Sequence, residues 1–269
     1  MAATDKAFTG SIAQIYERLL VPLIFAPYAR DLAARIAKDH PRRLLETAAG
    51  TGVVTRALSA QLPADVAITA TDLNEPMLAQ AKAALPDPRV GWRQADALAL
   101  PFDDAGFDVV ACQFGVMFFP DRIRGYAEAH RVLAPGGRFF FNVWDRIEDN
   151  EFADGVTRAL AQVFPTDPPR FLARTPHGYH DRDAIHRDLQ QAGFGDIAID
   201  AVEHVSRAPS PREPAIAYCQ GTPLRSEIEA RGAPGLELAT DKAAEWLAQH
   251  FGDGAVEGRI RALVISAAR

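Results

Sequence analysis

Asp72, Asp96 and Gln113 each lie at the end of an apolar run, downstream of a turn built from small residues. That turn is Leu44-Leu45-Glu46-Thr47-Ala48-Ala49-Gly50-Thr51-Gly52, followed by Val53-Val54-Thr55-Arg56-Ala57-Leu58 with the composition of a helix start. Gly50 and Gly52 carry no Cβ and Ala48 and Ala49 only a small one, so backbone can approach a ligand closely. The amides of the following helix point at whatever sits there. A carboxylate such as Asp72, about twenty residues beyond such a turn, can accept two hydrogen bonds from a ribose diol. Asp96 is the right type to accept from an adenine amino group. Gln113-Phe114 ends a further apolar run and faces the reacting centre. These residues outline a nucleoside laid across several strand ends.

The elements that must position them alternate. Residues 43–48, 66–72, 90–94, 107–114 and 138–144 read as strands. Residues 53–61, 75–84 and 122–133 read as helices, with Pro76 in a first turn after Asn74, and Pro135-Gly136-Gly137 as a sharp stop. Near-continuously apolar strands separated by helices indicate a parallel sheet buried on both faces. Right-handed crossovers then give a doubly wound α/β fold, whose ligands bind outside the carboxyl ends of the strands. Ahead of it, Ile12–Leu20 and Pro27–Ala37 read as two helices. Beyond it, residues 151–164 and 183–192 read as helices and 197–205 as a strand. Ser206–Pro214 reads as a link, followed by helices near 213–219, 223–231 and 240–250 and a terminal strand at Arg259–Ala268. Residues 206–255 read as an insertion between two late strands, forming a lid.

Composition narrows the partners. The chain has 269 residues, 48% of them hydrophobic, and a net charge of −6. An acidic chain without clustered Lys and Arg argues against nucleic-acid binding. No apolar stretch approaches the ~20 residues that span a bilayer. Cys112 and Cys219 stand far apart without histidines at ligand spacing, so no metal site is expected and a reducing, cytoplasmic setting fits.

Two cofactor classes compete for the turn. A dinucleotide site wants Gly or Ala three residues after the second glycine, and Thr55 stands there instead. No Gly-Lys-Ser/Thr follows, which excludes a P-loop. The ordered set Glu46-x-x-x-Gly50-Thr51-Gly52, Thr71-Asp72-Leu73-Asn74-Glu75-Pro76-Met77-Leu78, Gln94-Ala95-Asp96-Ala97-x-x-Leu100-Pro101-Phe102, Phe107-Asp108-Val109-Val110 and Arg131-Val132-Leu133-Ala134-Pro135-Gly136-Gly137 resembles class I S-adenosylmethionine-dependent methyltransferases. Within them it is similar to the type 11 group of ubiquinone/menaquinone-biosynthesis methyltransferases. The resemblance covers roughly residues 40–145. It implies a mostly parallel seven-stranded sheet, its last strand antiparallel, with a helical cap. It divides the chain into N-terminal helices closing over the cofactor (1–40), a cofactor-binding core (41–145) and the rest of the sheet with lid segments at about 146–180 and 206–255. Ala48 stands where the family usually has its first glycine.

The resemblance also implies roles. Glu46 orders the turn and reaches the methionine amino group through water. Ala48, Gly50 and Thr51 lie along the methionine end. Asp72 holds the ribose diol, Leu73 and Met77 sandwich the adenine, Asp96 accepts from its amino group and Ala97 donates an N–H to the ring. Gln113 and Phe114 line the path to the methyl. Tyr16 is the aromatic expected to close over the cofactor, with Phe25 and Tyr28 behind it. Met77 is equally suited to core packing.

An acceptor that must lose a proton needs a base. His177, His180 and His204 are the candidates. His180 beside Asp181 reads as a base oriented by a carboxylate, the alternative being Asp181 or Asp183 as a helix cap beside a solvated histidine. The acidic chain and the apolar lid imply methylation of a small, partly apolar acceptor. A nicotinamide oxidoreductase and a non-catalytic S-adenosylmethionine binder are the competing readings.

Overall fold

Leu44, Leu45, Val109, Val110, Ala111, Phe139 and Phe141 are all buried, and they form the middle of a seven-stranded sheet. The structure is a computed structural model and describes residues 11–269. The strands are β1 (Arg43–Glu46), β2 (Ala67–Asp72), β3 (Val90–Gln94), β4 (Phe107–Gln113), β5 (Leu133–Trp144), β6 (Gly195–Ala208) and β7 (Val256–Ala268). Across the sheet they run β3-β2-β1-β4-β5-β7-β6. β1 pairs in parallel with β2 and β4, β2 with β3, and β4 with β5. The order reverses between β1 and β4, the crevice where open α/β sheets bind ligands. β7 is antiparallel to β5: Arg269 N donates to Gly137 O at one end, and Asp145 N donates to Arg261 O at the other.

Two compact units divide the chain. One comprises residues 26–143, 179–201 and 263–269. It holds β1 to β4 with α2 (Ala26–Ala37), α3 (Val53–Gln61), α4 (Glu75–Ala84), α5 (Arg122–Val132) and α8 (Arg182–Gln191). The other comprises the described residues up to Phe25, with 144–178 and 202–262. It holds α1 (Ser11–Ile15), α6 (Glu151–Val163), α7 (Phe171–Arg174), α9 (Arg212–Gln220), α10 (Leu224–Glu229) and α11 (Leu236–Phe251). Here α11 packs on α6 and α9. Gly155 of α6 makes room for α11 side chains: a Cβ there would stand 2.6 Å from the Trp246 ring.

Three expectations change. The N-terminal segment is not two separate helices. α1, a π-helical stretch at Tyr16–Phe25 and α2 follow one another directly. Pro22 has no N–H for the ladder, and the Leu23 carbonyl takes a hydrogen bond from Ser206 Oγ at 2.8 Å, so the turns widen without breaking. Pro135-Gly136-Gly137 is not a turn before β5 but an irregularity inside it. Phe107 pairs with Leu133 while Val109 pairs with Arg138, and Gly136 at φ 79° takes up the extra chain. Ser206 belongs to β6, which extends to Ala208, and α9 begins at Arg212, so the expected link is shorter.

Candidate cofactor-binding site

Glu46 closes β1 fully buried, and Thr55 Oγ1 donates to its Oε2 at 2.6 Å. Burial pushes the Glu46 carboxyl up to about 8; the Thr55 hydrogen bond opposes this and the Asp72 charge adds to it. Thr55, which the sequence offers only as an argument against a dinucleotide, is thus the partner of the acid at the strand end. The turn then winds through left-handed backbone at Ala48 (φ 52°), Gly50 (φ 56°) and Gly52 (φ 81°). Gly52 could not be otherwise: a Cβ there would lie 3.0 Å from the Ala81 methyl and 3.3 Å from Trp92. Thr51 is buried, and its hydroxyl has no hydrogen-bond partner among the described residues. A buried hydroxyl in that state calls for a polar ligand or a water.

Asp72 fastens the end of β2 to the turn. Its Oδ2 accepts from Gly50 N at 2.8 Å, and its Oδ1 accepts from Asn74 N at 2.8 Å and Asn74 Nδ2 at 3.3 Å. Burial raises its pKa, and the Asn74 and Gly50 amides pull it back. Leu73, beside it, is 46% exposed, an open apolar surface suited to the face of a planar ring. Met77 is buried, with its methyl 3.9 Å from where a Gly50 Cβ would be, so it supports the turn from below. Asp96 lies two residues past β3 and is exposed; its Oδ1 accepts from Leu98 N at 2.9 Å, holding a turn that also carries Ala97.

At the end of β4, Phe114 also has left-handed backbone (φ 49°). Its amide donates to both Asn142 O (3.1 Å) and Asn142 Oδ1 (3.0 Å), and Asn142 Nδ2 reaches Gln113 Oε1 at 3.4 Å. The Tyr28 ring meets Phe114 edge-on at 5.4 Å. Sequence reasoning missed Asn142, although a lone polar residue in Phe139-Phe140-Phe141-Asn142-Val143-Trp144 was a signal that a buried group needed a partner. It also missed Gly115, where a Cβ would stand 2.6 Å from both the Ala48 methyl and Cys112 Sγ. Cys112 itself is buried, its thiol pushed up to about 12.

Glu46, Ala48, Gly50, Thr51, Asp72, Leu73, Met77, Asp96, Ala97, Gln113 and Phe114 therefore all belong to one unit and sit at, or just past, the ends of β1 to β4. Fixed acceptors, an exposed apolar face and an orphan hydroxyl suit a nucleoside with a polar tail.

Tyr16 belongs to the other unit. Its ring is 5.0 Å from Phe25, Phe25 is 5.9 Å from Trp144, and Trp144 is 5.9 Å from His177. His177 is buried, with Nδ1 2.9 Å from Asp145 O. His180 is half-buried. Asp181 Oδ1 accepts from Asp183 N at 2.9 Å and Ala184 N at 3.3 Å, so Asp181 caps α8.

Residues 45–141 match the family described as "Methyltransferase domain". The chain is 35% identical over 207 residues to a ubiquinone/menaquinone biosynthesis C-methyltransferase of Geobacter sp. (strain M21), covering 71% of this chain and 88% of that protein. It is 43% identical over 112 residues to a demethylmenaquinone methyltransferase of Thermus thermophilus, covering 41% of this chain and 49% of that one. Among solved structures, Haemonchus contortus phosphoethanolamine N-methyltransferase 2 with S-adenosyl-L-methionine has TM-score 0.60 at 17% identity, covering all of this chain and 60% of its own. The [4+2]-cyclase SpnF has TM-score 0.55 at 18% identity, covering 90% of this chain and 80% of its own. Such likenesses carry the fold, and a cyclase among them shows that fold alone does not set the reaction. With sequence, sheet and strand-end cradle in agreement, the chain belongs to the class I S-adenosylmethionine-dependent methyltransferases.

Proposed function

We propose that this methyltransferase places a methyl group on a ring carbon of a small quinol-type aromatic molecule. The observation that carries the acceptor class is the likeness, 35% identical over 207 residues and covering 88% of that protein, to a relative named as a ubiquinone/menaquinone biosynthesis C-methyltransferase, with a demethylmenaquinone methyltransferase also among the relatives.

S-adenosylmethionine fits the cradle, and when bound it supplies a methyl already activated on a sulfonium. The chain's residues have the remaining work of holding and orienting. In our reading Asp72 takes the ribose diol, with its carboxylate preset by Gly50 and Asn74. Leu73 covers the adenine and Met77 backs the turn, while Asp96 and Ala97 address the adenine edge. Ala48, Gly50 and Thr51 follow the methionine end, with the Thr51 hydroxyl finding its partner there and Glu46 acting beneath. Gln113 and Phe114 border the methyl. Placement of two reactants in line is worth about 7–11 kcal/mol, so a methyltransferase can work largely by positioning.

Incubating the protein with labelled S-adenosylmethionine and 1,4-naphthohydroquinone, a soluble quinol with vacant ring carbons, tests the reading. The expected product is the 2-methyl quinol. Label found on oxygen, or no transfer to any quinol, overturns it.

A further inference from the structure

Leu100 is a buried loop residue whose two main-chain groups are both taken by side chains of α5. Leu100 N donates to Glu128 Oε2 at 2.7 Å, and Arg131 Nη2 donates to Leu100 O at 2.9 Å. Glu128 and Arg131 are locked to each other: Arg131 Nε donates to Glu128 Oε1 at 2.8 Å, and Nη2 donates to Oε2 at 2.9 Å. The pair does for Leu100 what a neighbouring strand would do. The Arg131 hydrogen bonds hold the Glu128 carboxyl below the usual carboxylate range. Arg131 also reaches further along the loop, with Nη1 donating to Phe102 O at 2.8 Å and to Asp104 Oδ1 at 2.7 Å.

The clamp continues along α5 to the turn that carries Asp96 and Ala97. One helical turn before Glu128, Arg124 Nε donates to Leu98 O at 2.9 Å. Leu98 N donates in its turn to Asp96 Oδ1 at 2.9 Å, and Ala99 N donates to Asp96 O at 3.0 Å. Asp96 is exposed, so burial does not fix it; these hydrogen bonds do. A chain of contacts thus runs from α5 through Leu98 and Leu100 to the Asp96 carboxylate. All of these residues lie in one compact unit, the one that holds β1 to β4.

We infer that Arg124, Glu128 and Arg131 are positioning residues that give the enzyme its selectivity for adenine in the cofactor, an inference resting on the reading above in which Asp96 and Ala97 address the adenine edge. An acceptor for the amino group and a donor for the ring must both stay in one place to read a base. Hypoxanthine has an oxygen where adenine has its amino group, and a hydrogen on the neighbouring ring nitrogen. It offers an acceptor to Asp96 and a donor to Ala97 N. A turn held by α5 rejects that pattern, and a turn released from α5 can shift to take it.

Calorimetric titration of S-adenosylhomocysteine and its deaminated analogue, S-inosylhomocysteine, into the full chain tests the inference. The unmodified protein should bind S-adenosylhomocysteine about 10- to 10²-fold more tightly than the analogue. Arg124→Met keeps an apolar stem and loses the donor. It should weaken S-adenosylhomocysteine about 2- to 10-fold and leave the analogue nearly unaffected, so the preference narrows. Glu128→Ala should narrow it in the same way, and Glu128→Gln, which keeps an acceptor for Leu100 N, should restore part of it. Should Glu128→Ala fail to fold, Arg124→Met decides. Weakening of both ligands by one factor marks a purely structural role and overturns the inference. A preference that survives every substitution overturns this inference alone. Equal affinity for both ligands in the unmodified protein removes the adenine reading of Asp96, and the inference falls with it.

Discussion

Ala48 and Gly115 share one small space. Ala48 has left-handed backbone at φ 52°, and its methyl lies 2.6 Å from where a Gly115 Cβ would be. The turn can carry a methyl at residue 48 because residue 115 has none. Gly115→Ala should destabilise the protein by about 1–3 kcal/mol through overpacking against Ala48 and Cys112. Ala48→Gly removes left-handed strain of about 1–2 kcal/mol and adds about 0.5–1 kcal/mol of chain entropy cost, so its effect should be neutral to slightly stabilising. The double variant should lose less than the sum of the single changes. Urea melts of all four proteins check the cycle, and strict additivity would contradict the shared space.

Glu46 makes stability depend on pH. Its folded pKa, about 8, lies above the ordinary carboxylate value. Between those values the folded state holds a proton that the unfolded state has lost. The stabilisation is therefore fully present below the unfolded value near 4.5 and is lost as pH rises through about 8. Glu46→Gln keeps an acceptor for Thr55 Oγ1 and cannot ionise. Its unfolding free energy should lose the part of the slope that unmodified protein shows between pH 5 and pH 8. Parallel slopes in denaturant melts would sink this account.

Asp72 fastens the turn and, in the proposed reading, also takes the ribose diol; two substitutions separate these roles. Asp72→Ala strands the Gly50 and Asn74 amides, each costing about 1–3 kcal/mol if left unpaired. It should lower both stability and S-adenosylmethionine affinity. Asp72→Asn retains one oxygen acceptor and should spare much of the stability while still weakening the ribose contact. Calorimetric affinity equal to that of the unmodified protein in both variants would remove Asp72 from the cofactor site.

Asp181 tests the histidine beside it. As the cap of α8, Asp181→Ala should cost about 0.5–2 kcal/mol of stability and leave kcat unaltered. A large loss of kcat without a change in melting temperature would instead mark Asp181 as the orienting acid of a His180 base.

The sheet and the strand-end positions of Asp72, Asp96 and Gln113 were legible because strand ends in a parallel α/β fold are where apolar runs meet polar residues. Asp72 and the Gly50–Gly52 turn needed only that rule. Thr55 and Asn142 were harder, because their roles depend on partners distant in sequence, Glu46 and Phe114. The Ala48 departure could be seen, but the Gly115 vacancy that accommodates it required the β4 end in three dimensions. The π-helical stretch around Pro22 and the irregularity at Gly136 escaped notice because each keeps its element running through residues that usually stop one. The Asp145 carbonyl that meets His177 Nδ1 belongs to the main chain, and side-chain identity cannot announce it.

The Asp72 carboxylate is locked by the Gly50 and Asn74 amides. In the reading proposed above, Asp72, Leu73, Asp96 and Ala97 grip the adenosine portion, which donor and spent donor share, and so treat the two alike. S-adenosylhomocysteine should therefore compete nearly as well as S-adenosylmethionine. The turnover rate of this enzyme would then follow the ratio of the two compounds rather than the amount of either one, making it a reporter of methylation charge.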